Sequence, residues 1–252
     1  MDTVKGHMEN FKIKELHDDE PRLSPFRRYC LLAHGDIALW RIVRNELLTL
    51  LLSNIPGAFG LLLRRVFYPC MFKSCDGKAD FGKGLTIRHA HKISLGRGCI
   101  IDDYAMIDAK GSTNHGIKLG AGVYIGRHSL VYCKNGDIVL GGRTNLSAHC
   151  TLFSSNSLEI GGGCMIGAYS YFLSGGEYDY RDPAPFATQT GMRTRGPLKI
   201  GDDCWFGARV TVIDATGTIG NRCVIGAGTI VSKPLPEHSL AVGTPARVVR
   251  KI

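Results

Sequence analysis

The feature that most constrains this chain is a six-residue period. Aliphatic or phenylalanine residues recur at Leu95, Ile101 and Ile107, at Leu119, Ile125 and Val131, and at Leu140, Leu146 and Leu152. The series runs on through Ile160, Ile166 and Phe172, then Ile200, Phe206 and Val212, and ends with Ile219, Ile225 and Val231. That is six sets of three hexads, eighteen residues to a set, and a less regular coil with Phe81, Ile87 and Ile93 opens the series. Self-similarity at a fixed period marks a stacked architecture in which each repeat buries its apolar face against the next.

Two further positions reinforce the period. The residue after the first aliphatic of each set is glycine: Gly96, Gly120, Gly141, Gly161, Gly201 and Gly220. The fifth hexad position is small in 15 of 18 cases, the exceptions being Asn135, Asn156 and Leu235. Cys99, Cys150, Cys164, Cys204 and Cys223 occupy that position, so they read as small buried hydrophobes rather than metal ligands or nucleophiles. The pattern describes a solenoid with three short strands per turn. One aliphatic per strand points into a narrow core, and glycine relieves the backbone near a corner. Successive coils stack at roughly 4.8 Å.

Composition narrows the class. Of 252 residues 32 are glycine but only 10 proline, and 44% are hydrophobic, which excludes a disordered or collagen-like chain. The length allows one large domain or two small ones, with ample material for a core. A net charge of +9 favours acidic partners such as nucleic acid, anionic lipid or a phosphorylated cofactor. The nine cysteines are odd in number and contain no C-x-x-C pair, as expected of reduced thiols in a cytoplasmic protein. The first 25 residues are charged and lack an apolar core, so no secretory signal is expected; Gly6-His7-Met8 reads equally as a cloning scar or as native sequence.

The pattern resembles the hexapeptide-repeat acyltransferases, and among them the sugar O-acetyltransferases, over about residues 78–252. The most specific stretches are I-G-D-D-C-W-F-G-A at 200–208, I-G-N-R-C-V-I-G-A-G-T-I-V-S-K at 219–233 and V-G-T-P-A-R-V-V at 242–249. The resemblance implies an all-β solenoid, a left-handed parallel β-helix of six to seven coils. It also implies a homotrimer with active sites between subunits, a coenzyme A thioester (acetyl-CoA) as co-substrate, and a sugar or glycan precursor as acceptor. Handedness rests on the resemblance alone.

The step from Phe172 to Ile200 is 28 residues rather than 6, so a loop, bounded at 173–197, leaves the solenoid there. Family members carry an acceptor site and normally a catalytic histidine in such a loop. Here the corresponding positions are Glu177 and Tyr178, and the loop contains no histidine. A general base near neutral pH is normally histidine, so a replacement is sought by geometry. The fourth position of the second hexad reads Tyr104, His128, His149, Tyr169, Arg209 and Gly228 up the solenoid, which predicts a ladder with members about 5 Å apart. His149 is the expected base, oriented by Glu177 or Asp179, with Tyr178 beside them. The alternatives are a ladder serving only surface or interface, and a protein that binds without turnover.

His89, in I-R-H-A-H-K, resembles the local string around the catalytic histidine of serine acetyltransferases, but it lies four coils below the loop. His115, His128 and His149 do not have the spacing of a three-histidine zinc site, so no metal is expected. For coenzyme A, the resemblance points to Trp205, Ala208 and Ala227 lining a groove, with Lys233, Arg247 and Arg250 near the phosphates. No motif supports nucleic-acid binding.

Residues 1–77 form a polar tail followed by a segment of helical character. Seventeen uncharged residues separate Glu46 from Arg64, but Pro56-Gly57 interrupts them, and about 25 Å of helix is short of a membrane span. Two short helices over residues 37–68, flanked by Arg41, Arg44, Arg64 and Arg65, suit a cap on the open end of the solenoid, a peripheral membrane contact, or both. The expected location is cytoplasmic, with the inner face of the membrane as a possible station.

Overall fold

A computed structural model describes residues 24–35, 37–178 and 194–252. Three helices come first: α1 (Pro25–Ala33), α2 (Leu39–Leu52) and α3 (Gly57–Phe67). The Ser24 side chain accepts from the Arg27 N–H and Pro25 occupies the first turn of α1, which sets its start. The α2–α3 break falls at Ser53–Pro56, where Pro56 cannot continue the preceding helix.

From Ser74 onward the chain is a parallel β-solenoid of three sheets. The first runs from Ser74–Cys75 to Thr218–Ile219, the second from Asp80–Phe81 to Ser239–Val242, and the third from Thr86–Arg88 to Ile230–Val231. Seven strands in the first and third sheets make seven coils, and this architecture matches the left-handed parallel β-helix implied by the resemblance. A terminal strand, Arg247–Lys251, adds antiparallel to the last strand of the second sheet.

Register preserves the hexads as columns. Leu95, Leu119, Leu140, Ile160, Ile200 and Ile219 pair in succession up the first sheet. All eighteen hexad residues are buried, each worth about 1.5–3 kcal/mol of apolar burial. Ile93 departs from the expectation: it belongs to the next coil, paired with Ile117, and the opening coil starts instead at Ser74–Cys75.

The recurrent glycine of each set has a different cause from the one expected. These residues do not adopt positive φ; the next coil simply passes too close. A Cβ on Gly141 would lie 2.3 Å from the backbone nitrogen of Gly162. The small fifth position also does more than fill space. Its thiol or hydroxyl donates to a carbonyl one coil up, as Cys99 does to Gly120, Thr144 to Gly161 and Cys204 to Gly220. Burial pushes the Cys99, Cys150 and Cys223 thiols up, in keeping with inert core residues.

The helices close the N-terminal end of the core. Tyr68 and Phe72 pack on Phe81 at ring distances of 5.6 and 5.5 Å. The buried Arg64 guanidinium donates to the carbonyls of Phe81, Leu52 and Ile55, tying α3 to the first coil and to the α2–α3 turn.

Candidate active site

Two corners of the solenoid carry the candidate chemistry. At the corner between the second and third sheets the chain turns through the left-handed region. Tyr104, His128, His149, Tyr169 and Arg209 all sit there with φ between 58 and 62°. Non-glycine residues enter this region at a cost of about 1–2 kcal/mol. Their rings stack: Tyr104 on His128 at 5.2 Å, His128 on His149 at 5.0 Å and His149 on Tyr169 at 4.8 Å, all within 13° of parallel. The Lys83 ammonium lies 5.4 Å from the Tyr104 ring and the Arg209 guanidinium 5.8 Å from that of Tyr169, so a cation closes each end. The ladder is solvent-exposed along its length.

The second corner is where the third sheet leads back to the first and the long loop departs. The strand Tyr171–Ser174 ends in Gly175 and Gly176, at φ 86° and 91°, and the chain returns through Thr194 and Arg195. Both stems are held by one carboxylate from the coil above. Asp214 is buried and accepts from the Gly175 N–H at 2.6 Å and, through its other oxygen, from the Arg195 N–H. The Thr194 hydroxyl lies 3.4 Å from Asp214 Oδ1 and accepts from Asn156 Nδ2. Burial raises the Asp214 carboxyl above its usual range, opposed by the two backbone N–H donors and reinforced by the nearby Glu177 charge.

The structure does not bring His149 and Glu177 together within one chain. His149 precedes the third-sheet strand Thr151–Ser154, whereas Glu177 follows the far end of the strand one coil up. Glu177 instead pairs with Arg195, its Oε2 accepting from Nε at 3.0 Å, and Tyr178 is exposed beside it. Asp179 and residues 180–193 lie outside the described residues.

His89 occupies the same corner as the loop, four coils lower. Its Nδ1 lies 2.7 Å from Asp108 Oδ1, and both groups are buried. Gly35 covers this pair so closely that a Cβ there would meet the His89 ring at 3.2 Å. A carboxylate–histidine pair exists, but beneath the α1 segment rather than at a groove.

The residues expected to bind coenzyme A divide between places. Trp205, exposed on the second sheet, shares a row with Val224, Leu240 and Arg250. Ala208 and Ala227 are exposed beside the ladder corner. Arg247 lies on the same terminal strand as Arg250, while Lys233 follows the third sheet on the loop side. Asp214 and Arg195 escaped the sequence reading. The available signal was a lone carboxylate two residues past a core valine, in the coil directly above the insertion.

Residues 197–233 match the family described as the hexapeptide repeat of succinyl-transferase. A Staphylococcus aureus (strain MRSA252) protein provisionally named an acetyltransferase is 38% identical over 112 residues, covering 38% of this chain and 56% of that protein. A Mycobacterium tuberculosis (strain ATCC 25618 / H37Rv) protein, also named an acetyltransferase on a provisional basis, is 29% identical over 135 residues, or 53% of this chain and 44% of that one. The chain thus spans about half the length of these curated relatives. Among solved structures, AntD, an N-acyltransferase from Bacillus cereus in complex with dTDP and 3-hydroxybutyryl-CoA, has a TM-score of 0.50 at 17% identity. The match covers 71% of this chain and 83% of AntD. That likeness is one of fold. The repeat in the sequence builds the coils of a parallel β-solenoid, and within them residues 197–233 are similar to the hexapeptide-repeat family.

Proposed function

We propose that this chain is an acyl-CoA-dependent acyltransferase, most simply an acetyltransferase, acting on a hydroxyl or amine of a sugar or glycan precursor. The observation that carries the reading is the loop corner: an insertion in a hexapeptide coil, clamped at both stems by Asp214 and bordered by an exposed carboxylate–guanidinium pair. The names of the curated relatives point the same way.

In this mechanism a base removes the acceptor proton as the oxygen or nitrogen attacks the thioester carbonyl. A backbone N–H stabilises the oxyanion, the C–S bond breaks, and the departing thiolate takes the proton. No covalent enzyme intermediate is needed. His149 is assigned as the base. Since Glu177 of the same chain lies across a strand from it, the assignment requires a homotrimer in which the ladder edge of one subunit faces the loop of the next. The exposed rings of Tyr104 and Tyr169, and Met165 and Trp205 on the adjoining sheet, supply an apolar surface for that contact. Trp205, Ala208, Ala227, Lys233, Arg247 and Arg250 are assigned to coenzyme A.

Free thiol released from acetyl-CoA, followed with a disulfide reagent across a panel of amino and hydroxy sugars, tests the reading. Turnover should depend on acceptor, and His149→Ala should lower kcat about 100-fold or more. Full activity in that variant removes His149 from the mechanism. A second reading is favoured by the Glu177-Tyr178 pair standing where the family places histidine: a hexapeptide-repeat scaffold that binds without turnover. Absence of a calorimetric signal with coenzyme A decides for that scaffold.

A further inference from the structure

An amphipathic helix that caps a core normally turns a polar face outward. Here the outward faces are apolar. On α2 they comprise Trp40, Val43, Leu47, Leu50 and Leu51, and on α3 Phe59, Leu62 and Val66. The spacings 40, 43, 47, 50 and 59, 62, 66 each follow one side of a helix. Leu50 is 77% exposed and Phe59 66%, so neither stripe is covered by the described chain. The inward faces are already satisfied, by Ile42 and the buried Asn45 on α2 and by Gly60 and Arg64 on α3.

The charge around these stripes has one sign. Residues 25–67 contain six arginines against Asp36 and Glu46, and no lysine. The Glu46 carboxylate is occupied internally, accepting from the Tyr29 hydroxyl and lying 2.7 Å from His34 Nε2. Beside the α2 stripe opens a cavity of about 240 Å³, lined by Trp40, Arg41, Arg44, Lys73 and His91 among others, with no carboxylate among the described residues of its wall. Arg41 and Arg44 both lie over the Trp40 ring, at 5.4 and 5.3 Å, so the cavity and the apolar stripe share a residue. The Nδ1 atom of His91 is buried and has no hydrogen-bond partner among the described residues.

We infer that the helical cap is a docking surface for an anionic phospholipid bilayer. The α2 and α3 stripes enter the acyl boundary, and the cavity at Trp40, Arg41, Arg44, Lys73 and His91 receives a headgroup phosphate. Two signals together, an apolar stripe and a cationic pocket, are what stable peripheral attachment requires. Among the described residues no helix is long and apolar enough to cross a membrane, so the geometry is one of lying on the surface. Such docking would hold the loop stems at Gly175 and Arg195 a few coils above the lipid.

The test is flotation of the full chain with vesicles of pure phosphatidylcholine and of phosphatidylcholine with 30% phosphatidylglycerol (roughly the anionic content that sets a negative surface potential). The chain should float with the anionic vesicles and weaken as salt rises. Leu50→Glu with Phe59→Glu should lower binding to both vesicle types, and Arg41→Glu with Arg44→Glu should lower it at least about tenfold on the anionic vesicles only. Circular dichroism and light scattering of each variant establish that fold and oligomeric state are kept. In a Trp205→Phe background, Trp40 emission should shift to the blue on anionic vesicles. No flotation of the full chain, or unchanged flotation by both variant pairs, overturns the inference. Loss of an oligomer in Leu50→Glu with Phe59→Glu, without vesicle binding by the wild type, assigns the face to a second copy instead.

Discussion

At the residue scale, the loop corner depends on Asp214. One carboxylate serves an N–H from each stem of a long insertion, so the two chain ends are aligned without a strand between them. In Asp214→Asn one oxygen must become an amide nitrogen, which cannot accept from the stem it faces. The expected outcome is a loss of about 1.5–3 kcal/mol, the range for hydrogen bonds to a charged group, read by urea unfolding. If the corner orders the acceptor site, KM for the acceptor should rise more than KM for the thioester. The ladder shows a different economy. His128 and His149 occupy left-handed backbone that glycine fills more readily, and ring stacking up the corner offsets the strain.

Among the elements, the cap is fixed by a buried arginine and a close approach. Arg64 serves three carbonyls, one in the first coil and two at the α2–α3 turn. Replacing it with methionine keeps much of the apolar stem but strands those acceptors, at about 1–3 kcal/mol for each one that stays buried. Gly60 faces the same turn: a Cβ there would lie 1.9 Å from the Ile55 carbonyl oxygen. Gly60→Ala should therefore destabilise the protein in thermal unfolding although alanine is the better helix former, because α3 must move off the turn. A melting temperature at or above wild type in Gly60→Ala would show that this contact relaxes freely.

For the whole molecule, pH links the cap to stability through His91. Burial, then electrostatic interaction with His89 and Lys92, pulls its pKa from 6.5 to about 4. Between those values the unfolded chain binds a proton that the folded chain refuses. Stability present above pH 6.5 should accordingly fall as pH drops toward 4. Asp214, whose carboxyl is raised, acts in the opposite sense at the acid end. A melting-temperature profile that is flatter in His91→Gln than in wild type over this window isolates the histidine, and coincident profiles refute the assignment.

The solenoid was legible because its cause is local and repeated. Each hexad aliphatic faces the core of its own coil, so the period alone fixes the columns, including the His128–His149–Tyr169 ladder and its spacing. The five cysteines at the fifth hexad position were legible as core for the same reason. What decided the rest was contact between residues distant in sequence. Asp214 meets Gly175 and Arg195 because coils stack, and Glu177 finds Arg195 rather than His149 because a strand separates two corners. His89 is sealed by a segment that precedes the repeat altogether. Hydrophobic periodicity is a short-range property that one strand carries in itself. Which polar groups share a corner, and which apolar helix faces remain uncovered, is set only when the coils and the cap have packed.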